Sequence, residues 1–139
     1  MAKYNFFVYS NCTDPAREEE FNRWYTHMHI PDLSKSKGFV TARRYVNVEP
    51  NPRAKFLTIY EFETDDIDAS INSLYELAAN SWPNRRHIDC IAPAPSVASP
   101  VAAFREIDPA TLRPLAPHEH ANYPSEMPES VRQGFAANS

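Results

Sequence analysis

A chain of 139 residues, 42% hydrophobic and 23% charged, fits one globular domain large enough to bury a core. Its net charge of -4 and pI near 5.7 exclude the clustered basic face of a nucleic-acid binder, and the doublets Arg43-Arg44 and Arg85-Arg86 are too small to reverse that. With glycine only at 38 and 134, a phosphate-cradling glycine loop is excluded as well.

The N-terminus, MAKYNFFVYS, reads as a first strand and not as a signal peptide. No window approaches the roughly 18 apolar residues that a membrane span needs, so no membrane partner is expected. Cys12 and Cys90 lack any metal spacing and are expected as reduced thiols in a cytoplasmic protein.

Residues 3–10 are aromatic and β-branched on both alternating faces, which predicts a strand covered on both sides. Asp14-Pro15 opens a helix: Asp is a preferred N-cap, Pro is tolerated at the first position, and Glu18, Glu19 and Glu20 suit the positive end of the dipole. Phe21, Trp24, Tyr25 and Met28 recur at i, i+3, i+4, i+7 and form its apolar stripe. Pro31 disfavours helical geometry at Ile30, so the helix is expected to stop or kink near His29, with a short turn over 30–36 before Gly38.

Residues 39–48 and 56–63 predict a second and third strand, antiparallel across a short proline-marked turn. Thr64-Asp65-Asp66 caps a second helix on Ile67, Ile71, Leu74 and Ala78. Asn80 to Pro100 reads as a long shaped loop of the kind that forms lids. Residues 101–107, VAAFREI, are expected as a fourth strand that closes a domain over 1–107. Residues 108–139 are proline-rich and polar, expected as a tail that is disordered or wraps a partner. The order β-α-β-β-α-β predicts an α+β, ferredoxin-like domain with two helices on one face of a four-stranded antiparallel sheet. The other face would stay wet in a monomer, which predicts a homodimer packed sheet to sheet.

The run EEEFNRWYTHMHIPDLSKSKGFVTARRY resembles the signature of EthD-like dimeric α+β barrel proteins. Trp24, Tyr25, His29, Pro31, Asp32, Gly38 and Phe39 fall on that family's WYxxHxPD-type helix end and PGF-type turn, with Lys37 where the family has proline. YEFETDD, at Tyr60 to Asp66, resembles its third-strand-to-helix junction. The resemblance spans about residues 4–106. It implies a small cofactor-free protein of a group that includes polyketide cyclases, lactone isomerases, decarboxylases and monooxygenases.

His29 lies about 80° around the helical wheel from Phe21, and a helix C-terminus moves an imidazole toward useful acid–base strength near neutral pH. It fits a general acid or base on an enolisable or phenolic substrate, and it equally fits a helix-end cap. Tyr25, with a phenol in need of a partner, and Asp32, as a carboxylate that orients His29 or caps the next turn, complete the catalytic candidates. Trp24 fits core packing as well as ring contact with a substrate, and His27 is expected in solvent. Tyr9 and Tyr60 are substrate-binding candidates whose facing depends on register. Arg43 and Arg44 point oppositely, so at most one reaches a substrate anion. Trp82, Arg85 and His87 are expected in a lid, with Arg85 or Arg86 holding a carboxylate or phenolate. No metal and no cofactor are expected. Together these predict a cofactor-independent lyase, isomerase or cyclase acting on a small aromatic or polyketide-like molecule; a non-catalytic binder of hydrophobic ligands and a cofactor-free monooxygenase are the alternatives.

Overall fold

The computed structural model describes residues 1–94 and 101–137. The chain is α+β with a five-stranded antiparallel sheet in the order β4-β1-β3-β2-β5. β1 (Ala2–Cys12), β2 (Phe39–Asn47) and β3 (Phe56–Thr64) form its centre, and short β4 (Ile91–Pro93) and β5 (Phe104–Glu106) form its edges. Among the described residues no helix is long and apolar enough to cross a membrane.

The four-stranded expectation is corrected here. The strand beside β1 is Ile91–Pro93, inside the stretch expected as a loop, while the expected fourth strand supplies β5 on the opposite edge, paired with β2. Three residues that end in proline carry no alternation to read, and a strand's partner is set by long-range contacts. Pro95 and Pro100 of that expected loop lie outside the described residues.

Helix α1 (Glu18–Trp24) starts as its caps require: Asp14 accepts from the Ala16 N–H at 3.0 Å, and a 3-10 turn over Pro15–Arg17 leads in. It does not stop at His29. A π-helical turn over Tyr25–His29 continues into α2 (Ile30–Leu33), and the Ile30 N–H bonds back to the Tyr25 carbonyl five residues earlier. Pro31 lacks an N–H and its ring crowds the carbonyl four residues back; widening the preceding turn absorbs both problems without ending the helix. The chain then turns at Gly38, whose φ of +78° is left-handed and whose Cα lies so near the Glu63 carbonyl that a Cβ would approach it to 2.9 Å.

Helix α3 (Ile67–Asn80) is capped by Asp66, which accepts from the Ala69 N–H. It covers the same sheet face as α1, with Phe21, Trp24, Tyr25, Met28, Phe56, Tyr60, Phe62 and Leu74 buried between. Register settles the facing: Thr58 pairs with Val8 and Arg44, and Tyr60 with Phe6 and Ala42, so these residues look toward the helices. Their alternates, including Phe7, Tyr9, Arg43, Tyr45 and Ile59, look the other way.

The segment after Asp108, expected as a tail extended or wrapped on a partner, folds back on the chain itself, residues 112–123 on the first helical segment and the last helix on β4. It carries a 3-10 turn (Pro109–Thr111), α4 (Pro117–His120) and α5 (Glu129–Ala137), and it buries Tyr123 and Val131. Polar anchors hold it. Buried Arg23 donates to the Arg113 and Pro114 carbonyls and pairs with Glu119 at 2.6 Å, while the Tyr123 hydroxyl donates to Glu20 at 2.6 Å. His27, expected in solvent, is half-buried and bonds to the Leu112 carbonyl at 2.7 Å. Asn138 and Ser139 lie outside the described residues.

Candidate functional site

The wider helical turn brings Tyr25 and His29, four residues apart, onto one buried side, where their rings meet edge to face at a centroid distance of 5.0 Å. His29 also stacks on Trp24 at 4.5 Å and meets His87 at 5.2 Å. His87 in turn stacks on Trp82 at 3.9 Å and 10°. The Trp24 indole N–H donates to the Arg86 carbonyl at 2.8 Å and ties the 81–90 loop to α1. Trp24, His29, Trp82 and His87 thus form one continuous aromatic column.

Both imidazoles are held neutral at pH 7. Burial pushes His29 well below the ordinary histidine value, and the nearby His87 ring and the Arg44 charge act in the same direction. Burial brings His87 down to about 4, against a backbone hydrogen bond that favours its charge. The bond from His87 Nδ1 to the Ile88 carbonyl, 2.8 Å, requires the proton on Nδ1 and leaves Nε2 as an acceptor. His29 Nδ1 is buried with no partner among the described residues.

Beside this column lies a second group that sequence reasoning did not bring together. The Tyr25 and Tyr60 hydroxyls share a hydrogen bond of 3.0 Å, and burial together with this neighbour raises Tyr60 well above the usual phenol range. Over the Tyr25 ring, at 4.3 Å, sits the Arg44 guanidinium, which is 3% exposed. Burial lowers Arg44 to about 10, while the two phenols raise it. Its Nη1 donates to Asn22 Oδ1 at 2.6 Å, and its Nε and Nη2 have no partner among the described residues. Arg44 was legible only as one of a doublet; the β2–β3 register selects it for the buried side.

Of the remaining predicted residues, Asp32, Tyr9 and Arg85 lie apart from this centre, while Trp82 and His87 join it from the core side. Asp32 neither bonds to His29 nor caps the following turn: it accepts two bonds from Arg86, at 2.8 and 3.0 Å, and lines an open groove of about 380 Å³ with Lys35. Tyr9 faces the opposite side of the sheet, near Phe104 at 6.4 Å. Trp82 and His87 are buried core residues instead of an outer lid, because they stack on each other and His87 meets the Trp24 ring, which removes their apolar faces from water. Arg85 is exposed, adopts a left-handed φ of 55°, and donates to the Tyr123 carbonyl at 2.9 Å, away from the column.

Chemically, a neutral imidazole with an unmet ring nitrogen, a phenol pair and a desolvated guanidinium can accept a proton, relay it, and stabilise negative charge on oxygen. No family model, curated protein or solved structure matches the chain.

Proposed function

We propose that the protein is a cofactor-independent enzyme that moves a proton on a small aromatic or polyketide-like molecule, by lyase, isomerase or cyclase chemistry. The observation that carries this reading is His29: a buried, neutral imidazole whose Nδ1 has no partner among the described residues, in ring contact with Tyr25. Burial keeps that imidazole unprotonated at pH 7, with a lone pair free to accept, and the Tyr25–Tyr60 pair beneath Arg44 steadies the oxyanion that forms and so offsets the lowered basicity. Its expected signature is turnover that falls about 100-fold or more in a folded His29→Gln variant. Screening aromatic and polyketide-like compounds finds the substrate, and full turnover in that variant would remove His29 from the mechanism.

A second reading, a protein that holds a hydrophobic ligand without converting it, has its own support: the cavity of about 150 Å³ beside Arg44 has apolar walls from Ile30, Ala42 and Ile107, and a ligand seated there need not meet His29. Stabilisation by aromatic compounds without product favours that binder.

The likeness to EthD-like dimeric α+β barrels belongs to the same proposal. In its support, four of the five strands run β4-β1-β3-β2 and the crossover helices cover one face, as in a ferredoxin-like fold, with β5 added beside β2. On the free face Phe7 is 50% exposed beside Tyr9, Tyr45 and Ile59, and a second copy is the occupant we assign to it. Light scattering at micromolar concentration is expected to give twice the 15.9 kDa chain mass; a stable monomer would contradict the assignment.

A further inference from the structure

Arg44 is the least explained charge in the molecule. It is buried among the rings of Phe21, Tyr25 and Phe56, at 5.4, 4.3 and 5.2 Å, and no described carboxylate pairs with it. A buried guanidinium needs a partner to offset its lost hydration. Its single bond to Asn22 fixes the plane and leaves the Nε–Nη2 edge unpaired. That edge is the one through which Arg86 holds Asp32, and through which Arg17 holds Glu20, side-on with two parallel bonds.

Arg44 also lines a cavity of about 150 Å³ between the helical turn and β2. Thr26 lines it too, and its Oγ1 is likewise buried and unpartnered among the described residues. Ile30, Ala42 and Ile107 supply apolar walls. Arg43 and Glu106 reach the cavity from β2 and β5, but strand alternation turns their side chains to the opposite face. One positive charge, one two-pronged edge and one hydroxyl therefore lie just beneath the wall of a space the size of a small molecule, covered in the unliganded chain, so that a ligand meets them through a small shift of the Arg44 and Thr26 side chains.

We propose that this cavity binds a small organic carboxylate, held side-on by Nε and Nη2 of Arg44, with Thr26 as a further hydrogen-bond partner and the apolar body of the acid against Ile30, Ala42 and Ile107. The inference names the ligand class and stands whether the protein is the enzyme or the binder described above. A monoanion fits better than phosphate: a second negative charge would enter an aromatic shell that offers no second cation.

The test uses the full chain, with benzoate as probe and benzamide as its neutral isostere. Benzoate is expected to raise Tm with the logarithm of its concentration once above Kd, by about 5 °C or more at 100-fold excess over Kd. Benzamide, and sodium chloride at equal ionic strength, leave Tm unchanged. Calorimetric affinity for benzoate falls about tenfold or more in Arg44→Met, falls less in Thr26→Val, and is retained in the exposed control Arg53→Met. Should Arg44→Met not fold, Arg44→Lys keeps the charge but loses the fork, and the same tenfold fall is expected. The proposal is overturned by equal stabilisation from benzamide, by a larger shift with inorganic phosphate than with benzoate, by no shift with benzoate, or by unchanged affinity in the Arg44 variants. Because these readouts require no turnover, they separate this inference from the failure of His29 as a base.

Discussion

Stability is expected to fall as the pH drops below about 6.5, well before the carboxylates titrate. His29 and His87 are neutral in the folded chain because burial holds both below the ordinary histidine value, whereas in the unfolded chain each takes up a proton near 6.5. Below that pH the unfolded state binds more protons than the folded one, so acidification favours unfolding until the folded rings titrate. For His87 the window runs from 6.5 to about 4, equivalent to about 3 kcal/mol at about 1.4 kcal/mol per pH unit. His29 adds to the loss in the same direction. Glu20 enters later: burial opposes its ionisation, but hydrogen bonds from Arg17 and Tyr123 outweigh that and hold it below 4.5. Urea unfolding at steps from pH 7.5 to 4.5 reads the effect directly. His87→Phe, which keeps a ring against Trp82 without a titrating nitrogen, is expected to flatten the slope. Stability that stays level from pH 7 to 5 would mean that the rings are protonated or exposed in solution.

These histidines also show where sequence reading reaches its limit. Helix α1 was legible because its signals are local: Asp14 and Pro15 at the start, three glutamates in the first turn, and a stripe that repeats every three or four residues. The central strands were legible for the same reason. His87 was not. It sits between arginines and prolines in a stretch without period, and only the stacking of Trp82 and the bond from Trp24 to the Arg86 carbonyl pull it inward. Arg44 was half legible, since alternation says that Arg43 and Arg44 diverge, but which one turns inward is decided by pairing with Thr58, a contact between distant residues. The segment after Asp108 reads as a tail from composition, and the structure folds it onto the domain. Few apolar residues follow Asp108, yet Tyr123 and Val131 are buried, and the polar Arg23 anchors it through three acceptors. A polar segment folds back when its partners are buried polar groups on the body of the domain, and those groups look like ordinary surface charge in a sequence.

Replacing Trp24 by alanine is expected to be among the most damaging single changes in the chain. Its side chain is fully buried, and it touches Phe21, Tyr25, His29 and His87 at ring-centroid distances of 6.0, 5.4, 4.5 and 4.8 Å. Truncating a buried indole typically loses about 3–5 kcal/mol through lost transfer energy and the cavity left behind. The Arg86 carbonyl also loses its donor, which adds about 1–3 kcal/mol if it stays buried. Trp24→Phe goes part of the way toward separating the two contributions, since it keeps a six-membered ring in the column while removing the N–H and part of the indole. Chemical denaturation is expected to rank wild type above Trp24→Phe, and Trp24→Phe well above Trp24→Ala. Near-UV circular dichroism should fall in step, because His87 loses the Trp24 ring it packs against and Trp82, stacked on His87, loses its support. The consequence reaches function. His29 lies flat on this indole, so the column holds the imidazole in place as well as dry. A folded Trp24→Phe variant should therefore lose turnover out of proportion to its stability, while a loss below about 1 kcal/mol in Trp24→Ala would show that the column is not a packed core at all.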